Sequence, residues 1–203
     1  MSESVARAAG ADDRNRQARG DRRRQQILDA AIELFAANGY RGTGVAALAE
    51  RVGMTATGLL YYFGSKERLL HEVVAERSRS DPDLMELEVR LDLLRELGRF
   101  NVSRATLAKL FIVLGAESFD PDAPLHEYFA DRYELSRTFF ARLVVAEREA
   151  GTVRADVDPE QLAREVLATI LGLEMQWLMD PQHFDYPAAV EAYFDRLVVE
   201  LRR

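Results

Sequence analysis

A run of hydroxyl-bearing and small side chains, TATGLLYY, occupies residues 55–62. The side chains in this run that can donate and accept hydrogen bonds belong to Thr55, Thr57, Tyr61 and Tyr62. Ala56 and Gly58 lie between them and are small enough to let the backbone come close to another molecule. A surface of this kind is suited to recognition through hydrogen bonds.

Patterns typical of catalysis are missing from the sequence. His71, His126 and His183 lack the glutamate three residues earlier that the paired di-iron sites of helical bundles need. The sequence has no GxSxG elbow, no HExxH pair, no glycine-rich phosphate loop and no cysteine. We therefore expect a protein that is not an enzyme and that has no metal site and no cofactor.

Two short helices are predicted to position the TATGLLYY run. The i, i+3, i+4, i+7 spacing of one buried helix face is occupied by Val45, Leu48, Ala49 and Val52. Gly53 can end that helix with a positive φ, and Thr55 can cap the next one, which carries Leu59 inward. Two such helices form a helix-turn-helix, whose second helix enters the DNA major groove. A purely structural corner between two packed helices has the same pattern.

Further helices are predicted on both sides of this motif. Residues 22–38 place Ile27, Ala31, Leu34 and Phe35 on one face, and Gly39 can end that helix. Ser65 can cap a helix over residues 65–80. Lys66 lies in its first turn, where the helix dipole disfavours a cation and a DNA phosphate would compensate. The alternative for Lys66 is a solvated side chain.

Residues 23–70 resemble the N-terminal DNA-binding domain of the TetR family of transcriptional repressors. The matching features are ILDAA, LF, GY, the Thr43 position, LA, GMT and YYFGSKE. Leu60 and Gly44 depart from the Tyr and the Thr or Ser that the family commonly has there. The resemblance implies phosphate contacts by Thr43 and Lys66. The residues expected at DNA are Thr43, Thr55, Ala56, Thr57, Gly58, Tyr61, Tyr62 and Lys66.

The remaining chain also shows helical spacing, so we predict an all-α fold of about nine helices. The expected later helices cover residues 82–98, 103–119, 122–149, 159–179 and 187–201. The predicted domains are a disordered basic arm, a helix-turn-helix domain, a connecting helix and a helical ligand-binding and dimerisation domain. Their expected boundaries are 1–21, 22–64, 65–80 and 81–203.

The charge of the chain is distributed unevenly. The net charge is −7, but residues 1–80 hold 13 Lys and Arg against 10 Asp and Glu, whereas residues 81–203 hold 14 against 24. A basic first part and an acidic remainder suit a protein that meets phosphate with one end only. Arginines between Arg14 and Arg24 could follow phosphates or enter a minor groove, or they could be a solvated tail.

The last two helices are expected to form a homodimer, because a helix-turn-helix protein reads two half-sites with two-fold symmetry. The family's dimers are four-helix bundles of this kind. The apolar faces concerned contain Leu162, Val166, Ile170, Leu173, Trp177 and Leu178, and Val190, Phe194, Leu197, Val198 and Leu201. The alternative is that these faces only close the core of the monomer.

A cavity for a small-molecule effector is implied by the family resemblance. Polar groups interrupt the apolar helices of the second domain, and ligand sites are mostly apolar with a few polar groups. A glutamate in such a site would favour a basic or hydroxyl-bearing effector, but it could instead face solvent or pair with Arg104, Arg132 or Arg137. The candidate lining residues are Phe111, Glu117, Tyr133, Phe140, Glu174 and Trp177.

Together these features predict a dimeric repressor that binds double-stranded operator DNA and is released by an effector acting through the helix at residues 65–80. No stretch of 18 apolar residues is present, so we expect a cytoplasmic protein without a membrane partner. The alternative is a helical interaction protein whose helix-turn-helix no longer binds DNA specifically.

Overall fold

The computed structural model describes the backbone of residues 2–80 and 90–202, and the side chains of residues 17–76, 90, 91 and 94–202. Within these ranges the chain forms nine α-helices, one 3₁₀ helix and no strand. The chain divides into two compact units, Met1–Ser78 and Arg79–Arg203. The prediction of an all-α fold with about nine helices is confirmed.

Four helices make up the first unit: α1 Ser2–Asn38, α2 Val45–Arg51, α3 Ala56–Phe63 and α4 Lys66–Ser80. Disorder was predicted for residues 1–21, but α1 continues back to Ser2. Alanine and arginine recur in this segment and are strong helix formers. A helix that has already been nucleated also extends more easily than a new one begins.

The core of the first unit consists of one face from each helix. Leu34, Val45 and Val52, which were expected on these faces, are only half-buried. Burial of the other apolar side chains follows the predicted spacing. The buried apolar residues are Ile27, Leu28, Ala30, Ala31, Phe35, Ala36, Leu48, Ala49, Leu59, Phe63, Leu69, Leu70, Val73 and Val74.

The helix ends in this unit have the chemistry that the sequence predicts. Gly53 follows α2 with a φ of 64°, a conformation that costs glycine no steric energy. The Thr55 hydroxyl oxygen accepts a hydrogen bond from the Gly58 N–H at 3.1 Å. The Ser65 hydroxyl oxygen accepts one from the Arg68 N–H at 3.0 Å. These caps fix where α3 and α4 begin.

The second unit contains a 3₁₀ helix at Leu91–Glu96 and then α5 Leu97–Val102, α6 Ala105–Ala116, α7 His126–Glu149, α8 Pro159–Met179 and α9 Tyr186–Arg202. A single helix was predicted over residues 82–98. The part of it that the structure describes is the 3₁₀ helix and the beginning of α5, and the predicted break at Asp81-Pro82 lies outside the described residues.

Two helices of this unit are shorter than predicted because local hydrogen bonds form turns at their ends. Before α6, the Ser103 hydroxyl donates to the Phe100 carbonyl oxygen at 2.7 Å. Before α7, a side-chain oxygen of Asp120 accepts from the Asp122 N–H at 3.0 Å. Serine and aspartate commonly stabilise turns in this way, in competition with helix.

The apolar faces of α8 and α9 lie inside the unit. α8 packs along α7, and α9 packs on the 3₁₀ helix and α5. These faces therefore close the protomer, which is the alternative that the sequence left open, and a dimer would need other faces of the same helices. Of the residues expected on these faces, Leu173, Leu178 and Val198 are partly buried, and the fully buried ones are Leu162, Val166, Ile170, Trp177, Val190, Phe194, Leu197 and Leu201.

Within the described ranges, no helix has both the length and the apolar character needed to cross a membrane.

Gly98 lies at a close contact between α5 and α9. A Cβ at this position would lie 2.7 Å from the Pro187 Cα and 3.2 Å from the Val190 Cβ. We expect Gly98→Ala to destabilise the protein by about 1–3 kcal/mol, because the helices must separate to admit the methyl group. Thermal unfolding followed by circular dichroism measures the effect.

Gly20→Ala is the matched control, since a Cβ on Gly20 would meet nothing within 4 Å. That change should be neutral or stabilising by roughly 0.5–1 kcal/mol, because alanine favours helix. Equal melting temperatures for Gly98→Ala and the unaltered protein would show that α5 and α9 are not tightly packed.

Candidate nucleic-acid interface and effector region

The N-terminal half of α3 presents small and polar groups at the protein surface. Thr55, Ala56 and Thr57 are exposed, and the Tyr61 ring is 88% exposed one turn further along. Tyr62 and Gly58 are half-buried, and the Tyr62 ring packs edge-on against Tyr61. Because the N-terminal end of a recognition helix approaches base edges, this surface has the composition and placement of a groove-reading face.

Gly58 also has a local role in forming this face. A Cβ on Gly58 would lie 3.1 Å from the Thr55 hydroxyl oxygen, which is the atom that accepts the Gly58 N–H. A larger side chain would therefore press against the N-cap. The sequence suggested that this glycine allows close approach to DNA, and the structure adds that it leaves room for the cap.

Thr43 points into the first unit and not to the surface. Its hydroxyl lies 2.7 Å from the Gly39 carbonyl oxygen and 3.2 Å from the Leu34 carbonyl oxygen. Since a hydroxyl has one proton, it donates to one of these acceptors at a time. The predicted phosphate contact by this side chain is therefore wrong, because the hydroxyl satisfies carbonyl groups at the end of α1.

Lys66 joins the start of α4 to the same corner. Its Nζ donates to the Tyr40 carbonyl oxygen at 2.9 Å and to the Thr43 carbonyl oxygen at 3.0 Å. The ammonium lies 4.1 Å from the centroid of the Tyr40 ring, within the range of a cation–π interaction. Lys66 is half-buried, so the alternative of a fully solvated lysine side chain does not hold. Its ammonium group has a third N–H donor, which remains for a phosphate.

Tyr40 is held in a polar and partly buried environment. Burial raises the pKa of its hydroxyl group, and the nearby Glu67 carboxylate raises it further. The ring also packs edge-on against Phe35 in the core. Tyr40 therefore remains neutral at physiological pH and provides a stable face for the Lys66 ammonium.

Arg23 and Arg24, two of the arginines offered as phosphate contacts or as a solvated tail, take part in the fold. Arg23 donates to the Val52 carbonyl oxygen at 2.6 Å, at the C-terminal end of α2. Arg24 lies 2.8 Å from a Glu72 carboxylate oxygen and 5.0 Å from the centroid of the Phe63 ring. Sequence spacing could not have found these contacts, because they join residues that are 29 to 48 positions apart in the chain.

In the second unit, Glu174 is buried beside a polar group. The Asn101 amide donates to a Glu174 carboxylate oxygen at 3.3 Å and to the Tyr186 hydroxyl oxygen at 3.0 Å. The Tyr186 ring stacks on Trp177 with a centroid distance of 5.3 Å. Glu174 therefore does not face solvent, and an amide, a phenol and an indole ring lie around it.

Burial raises the pKa values of the Tyr133 and Tyr186 hydroxyl groups, and the Glu174 carboxylate raises both further. The two phenols are therefore within electrostatic reach of the same carboxylate. Because both stay neutral at physiological pH, they can donate hydrogen bonds to an anionic or carbonyl group, and their rings can face a cation.

The other predicted effector residues lie in different surroundings. Phe111 packs edge-on with Phe129, at a centroid distance of 5.4 Å. Phe140 is buried in the core with α8, and Glu117 is half-buried at the end of α6. A Cβ on Gly115 would lie 3.7 Å from the Tyr133 hydroxyl oxygen, so Tyr133 stands beside α6.

An open groove of about 610 Å³ lies elsewhere, along the outer surface of α8. None of the predicted effector residues lines it. Its lining residues are Gly172, Met175, Gln176, Met179, Asp180, His183 and Phe184. Among the residues that the structure describes, no group of three or more His, Asp or Glu side chains is arranged to hold a metal ion.

Comparison with known proteins decides the family. Residues 27–73 match the family model described as "Bacterial regulatory proteins, tetR family". Residues 93–202, which are more than half of the chain, match the model described as "BetI-type transcriptional repressor, C-terminal". The chain belongs to the TetR family. It is a DNA-binding transcriptional regulator with a helix-turn-helix in its first unit.

Relatives of this TetR-family chain carry the same kind of description. The HTH-type transcriptional repressor AcnR of Corynebacterium jeikeium is 28% identical over 157 residues, which cover 74% of this chain and 80% of AcnR. The HTH-type transcriptional regulator RutR of Escherichia coli K12 is 28% identical over 188 residues, which cover 85% of this chain and 74% of RutR.

A solved structure shows the same fold. The crystal structure of a transcriptional regulator from Saccharomonospora viridis in complex with choline matches with a TM-score of 0.69 and 22% identity. The match covers 87% of this chain and 95% of the other.

Substitutions of the buried Thr43 and the exposed Thr57 distinguish a structural role from a surface role in this TetR-family domain. We expect Thr43→Val to destabilise the first unit by about 1–3 kcal/mol, because the carbonyl groups that Thr43 contacts lose a buried donor. Thr57→Val, at an exposed helix position, should stay within about 0.5 kcal/mol of the unaltered protein. Urea unfolding of both variants measures the difference.

Unchanged stability together with weakened DNA binding would instead assign Thr43 to the DNA-contacting surface. If Thr43→Val unfolded at the same urea concentration as the unaltered chain but bound DNA poorly, its hydroxyl would be acting at a phosphate.

Proposed function

We propose that this TetR-family regulator is a homodimeric repressor that occupies an operator through α3 and is released when a small-molecule effector binds its second unit. The observation that supports the DNA-binding part most strongly is the capped N-terminal end of α3, where Thr57 and Tyr61 are exposed. A repressor of this kind excludes polymerase and works where a bacterium keeps its chromosome, in the cytoplasm.

Direct reading of bases by this α3 is sparse. The helix lacks Arg, Lys, Asn and Gln, which make the bidentate contacts to guanine and adenine. Its Thr and Tyr hydroxyls can contact base edges, and its small residues let the helix backbone approach the groove. Groove shape and bridging water therefore supply part of the specificity.

The experiment is binding of the full chain to DNA from directly upstream of its own gene, compared with mixed-sequence duplex of equal length. Tyr61→Ala should reduce affinity for the upstream fragment by about tenfold, the scale of a base contact worth 1–3 kcal/mol. Because the Tyr61 ring is almost fully exposed, its loss should leave thermal stability unchanged. Fluorescence anisotropy measures the affinities.

Phe119→Ala is the matched control, since that ring is 79% exposed and belongs to the second unit. It should bind the upstream fragment as well as the unaltered chain does. Equal affinities of Tyr61→Ala and Phe119→Ala for the upstream fragment would show that α3 is not the helix that reads DNA. If the chain binds the upstream fragment no better than the mixed-sequence duplex, either the operator lies elsewhere or the protein no longer binds DNA specifically. Genome-wide selection of bound fragments distinguishes these two cases.

The dimer is proposed to form through the outer faces of α8 and α9. Exposed small and apolar residues recur on α8 at i, i+4, i+7 and i+11, the spacing of one continuous stripe, and on α9 at i, i+4 and i+11, with Asp195 at i+7. A Cβ on Gly172 would meet nothing within 4 Å, so the middle of the α8 stripe is open. The exposed stripe residues are Ala168, Gly172, Met175 and Met179 on α8, and Ala188, Ala192 and Val199 on α9.

Met175→Asp tests this interface. It places a charge where the two copies would meet, so it should shift the chain from dimer toward monomer in sedimentation velocity at micromolar concentration. Val145→Asp is the control, because Val145 is exposed to a similar extent, 41% against 48%, but lies on α7. A dimer that survives Met175→Asp unchanged would exclude the α8 stripe from the interface.

The effector is proposed to bind in the second unit close to Glu174. A buried carboxylate with aromatic rings beside it favours a cationic or hydroxyl-bearing molecule, because the carboxylate attracts positive charge and the ring faces do the same. The S. viridis regulator with the same fold was crystallised with choline, a quaternary ammonium compound. Differential affinity for two conformations would then transmit binding to the DNA-reading helices through α4.

A further inference from the structure

α1 continues far beyond the part that packs into the first unit. Among the side chains that the structure describes in α1, which start at Gln17, the first buried one is Ile27, yet the helix begins at Ser2. The described side chains from Gln17 to Arg22 are exposed or half-exposed. The described residues of this half of α1 contribute no buried side chain to the apolar core of the unit, so packing does not explain their sequence.

The sequence of this half is strongly basic next to the packed part. Residues 14–24 read RNRQARGDRRR, with six arginines and one aspartate. Arg23 and Arg24 already make contacts within the fold, to the Val52 carbonyl oxygen and to Glu72. Arg19 and Arg22, on the N-terminal side of these two, are exposed at the protein surface.

Helical spacing aligns these arginines with the helix-turn-helix. Arg16, Arg19 and Arg23 lie at i, i+3 and i+7, and Arg22 lies three residues after Arg19, so all four fall within an arc of roughly 120°. Arg23 lies in this arc, and its guanidinium reaches Val52 and Gly53 in the turn before α3. The arginine face therefore leads away from the turn beside the end of α3 that enters the groove.

We propose that the basic half of α1 is a second DNA-contacting element, which binds the phosphates flanking the operator in a sequence-independent way. The proposal rests on the proposed function of α3. From Arg23 back to Arg14 the helix rises about 14 Å, which corresponds to roughly four base pairs of duplex. An arginine face of this length next to a groove-reading helix can reach several phosphates of one DNA strand.

The test is the salt dependence of binding by the full chain to a 30-base-pair mixed-sequence duplex. Because each phosphate contact contributes about 0.9 to the slope of log K against log salt, the triple variant R16A/R19A/R22A should lower that slope by up to about 2.7 per protomer. R16K/R19K/R22K keeps the charge and should retain most of the slope. Circular dichroism checks that the core remains folded.

The variant K109A/R142A/R154A is the control for the loss of three positive charges, because it removes three exposed cations from the second unit. This variant should bind as the unaltered chain does. An unchanged slope for R16A/R19A/R22A, or an equal loss in the second-unit control, would overturn the proposal and leave these arginines as a solvated helix face.

The two proposals fail in different ways. If the upstream fragment and the mixed duplex bind equally but the slope still depends on the α1 arginines, the operator function fails and the phosphate contact stands. If the upstream fragment binds specifically and the slope does not depend on these arginines, α3 reads DNA without help from α1.

Discussion

The DNA-reading unit depends on how the carbonyl groups at the end of α1 find their hydrogen-bond donors. The last turn of a helix leaves carbonyl oxygens without partners inside the helix, and burying them unpaired is costly. Here the Thr43 hydroxyl satisfies Gly39, and the Lys66 ammonium satisfies Tyr40 and Thr43. These bonds connect the end of α1, the approach to α2 and the start of α4 in one corner.

The position of α3 follows from that corner. The Arg23 guanidinium, which belongs to α1, donates to the Val52 carbonyl oxygen at the C-terminal end of α2. The Thr55 side chain caps the N-terminal end of α3. The turn between α2 and α3 is therefore held by polar contacts on one side and by Leu59 and Phe63 in the core on the other. A preorganised reading helix loses little conformational entropy when it binds, so such contacts support DNA affinity without touching DNA.

Spacing predicted much of this fold because burial and capping leave local signatures. The faces of α1 to α4 and the caps at Thr55 and Ser65 could be read from residues only a few positions apart. The direction of the Thr43 and Lys66 side chains could not, because it depends on carbonyl groups that tertiary structure brings near. The apolar faces of α8 and α9 were predicted correctly as apolar, but spacing does not tell whether a partner helix belongs to the same copy. Glu174 was recognised as unusual, yet its neighbours Asn101 and Tyr186 are 73 and 12 positions away and could be named only from the fold.

The most direct test of the central claim is a hydroxyl-radical footprint of the full chain on the fragment upstream of its gene. A dimer reading DNA through two copies of α3 should protect two patches on one face of the duplex, related by two-fold symmetry and one helical turn, about 34–36 Å, or a multiple of it apart. A single protected patch, or a pattern identical to that on mixed-sequence DNA, would contradict an operator-binding homodimer.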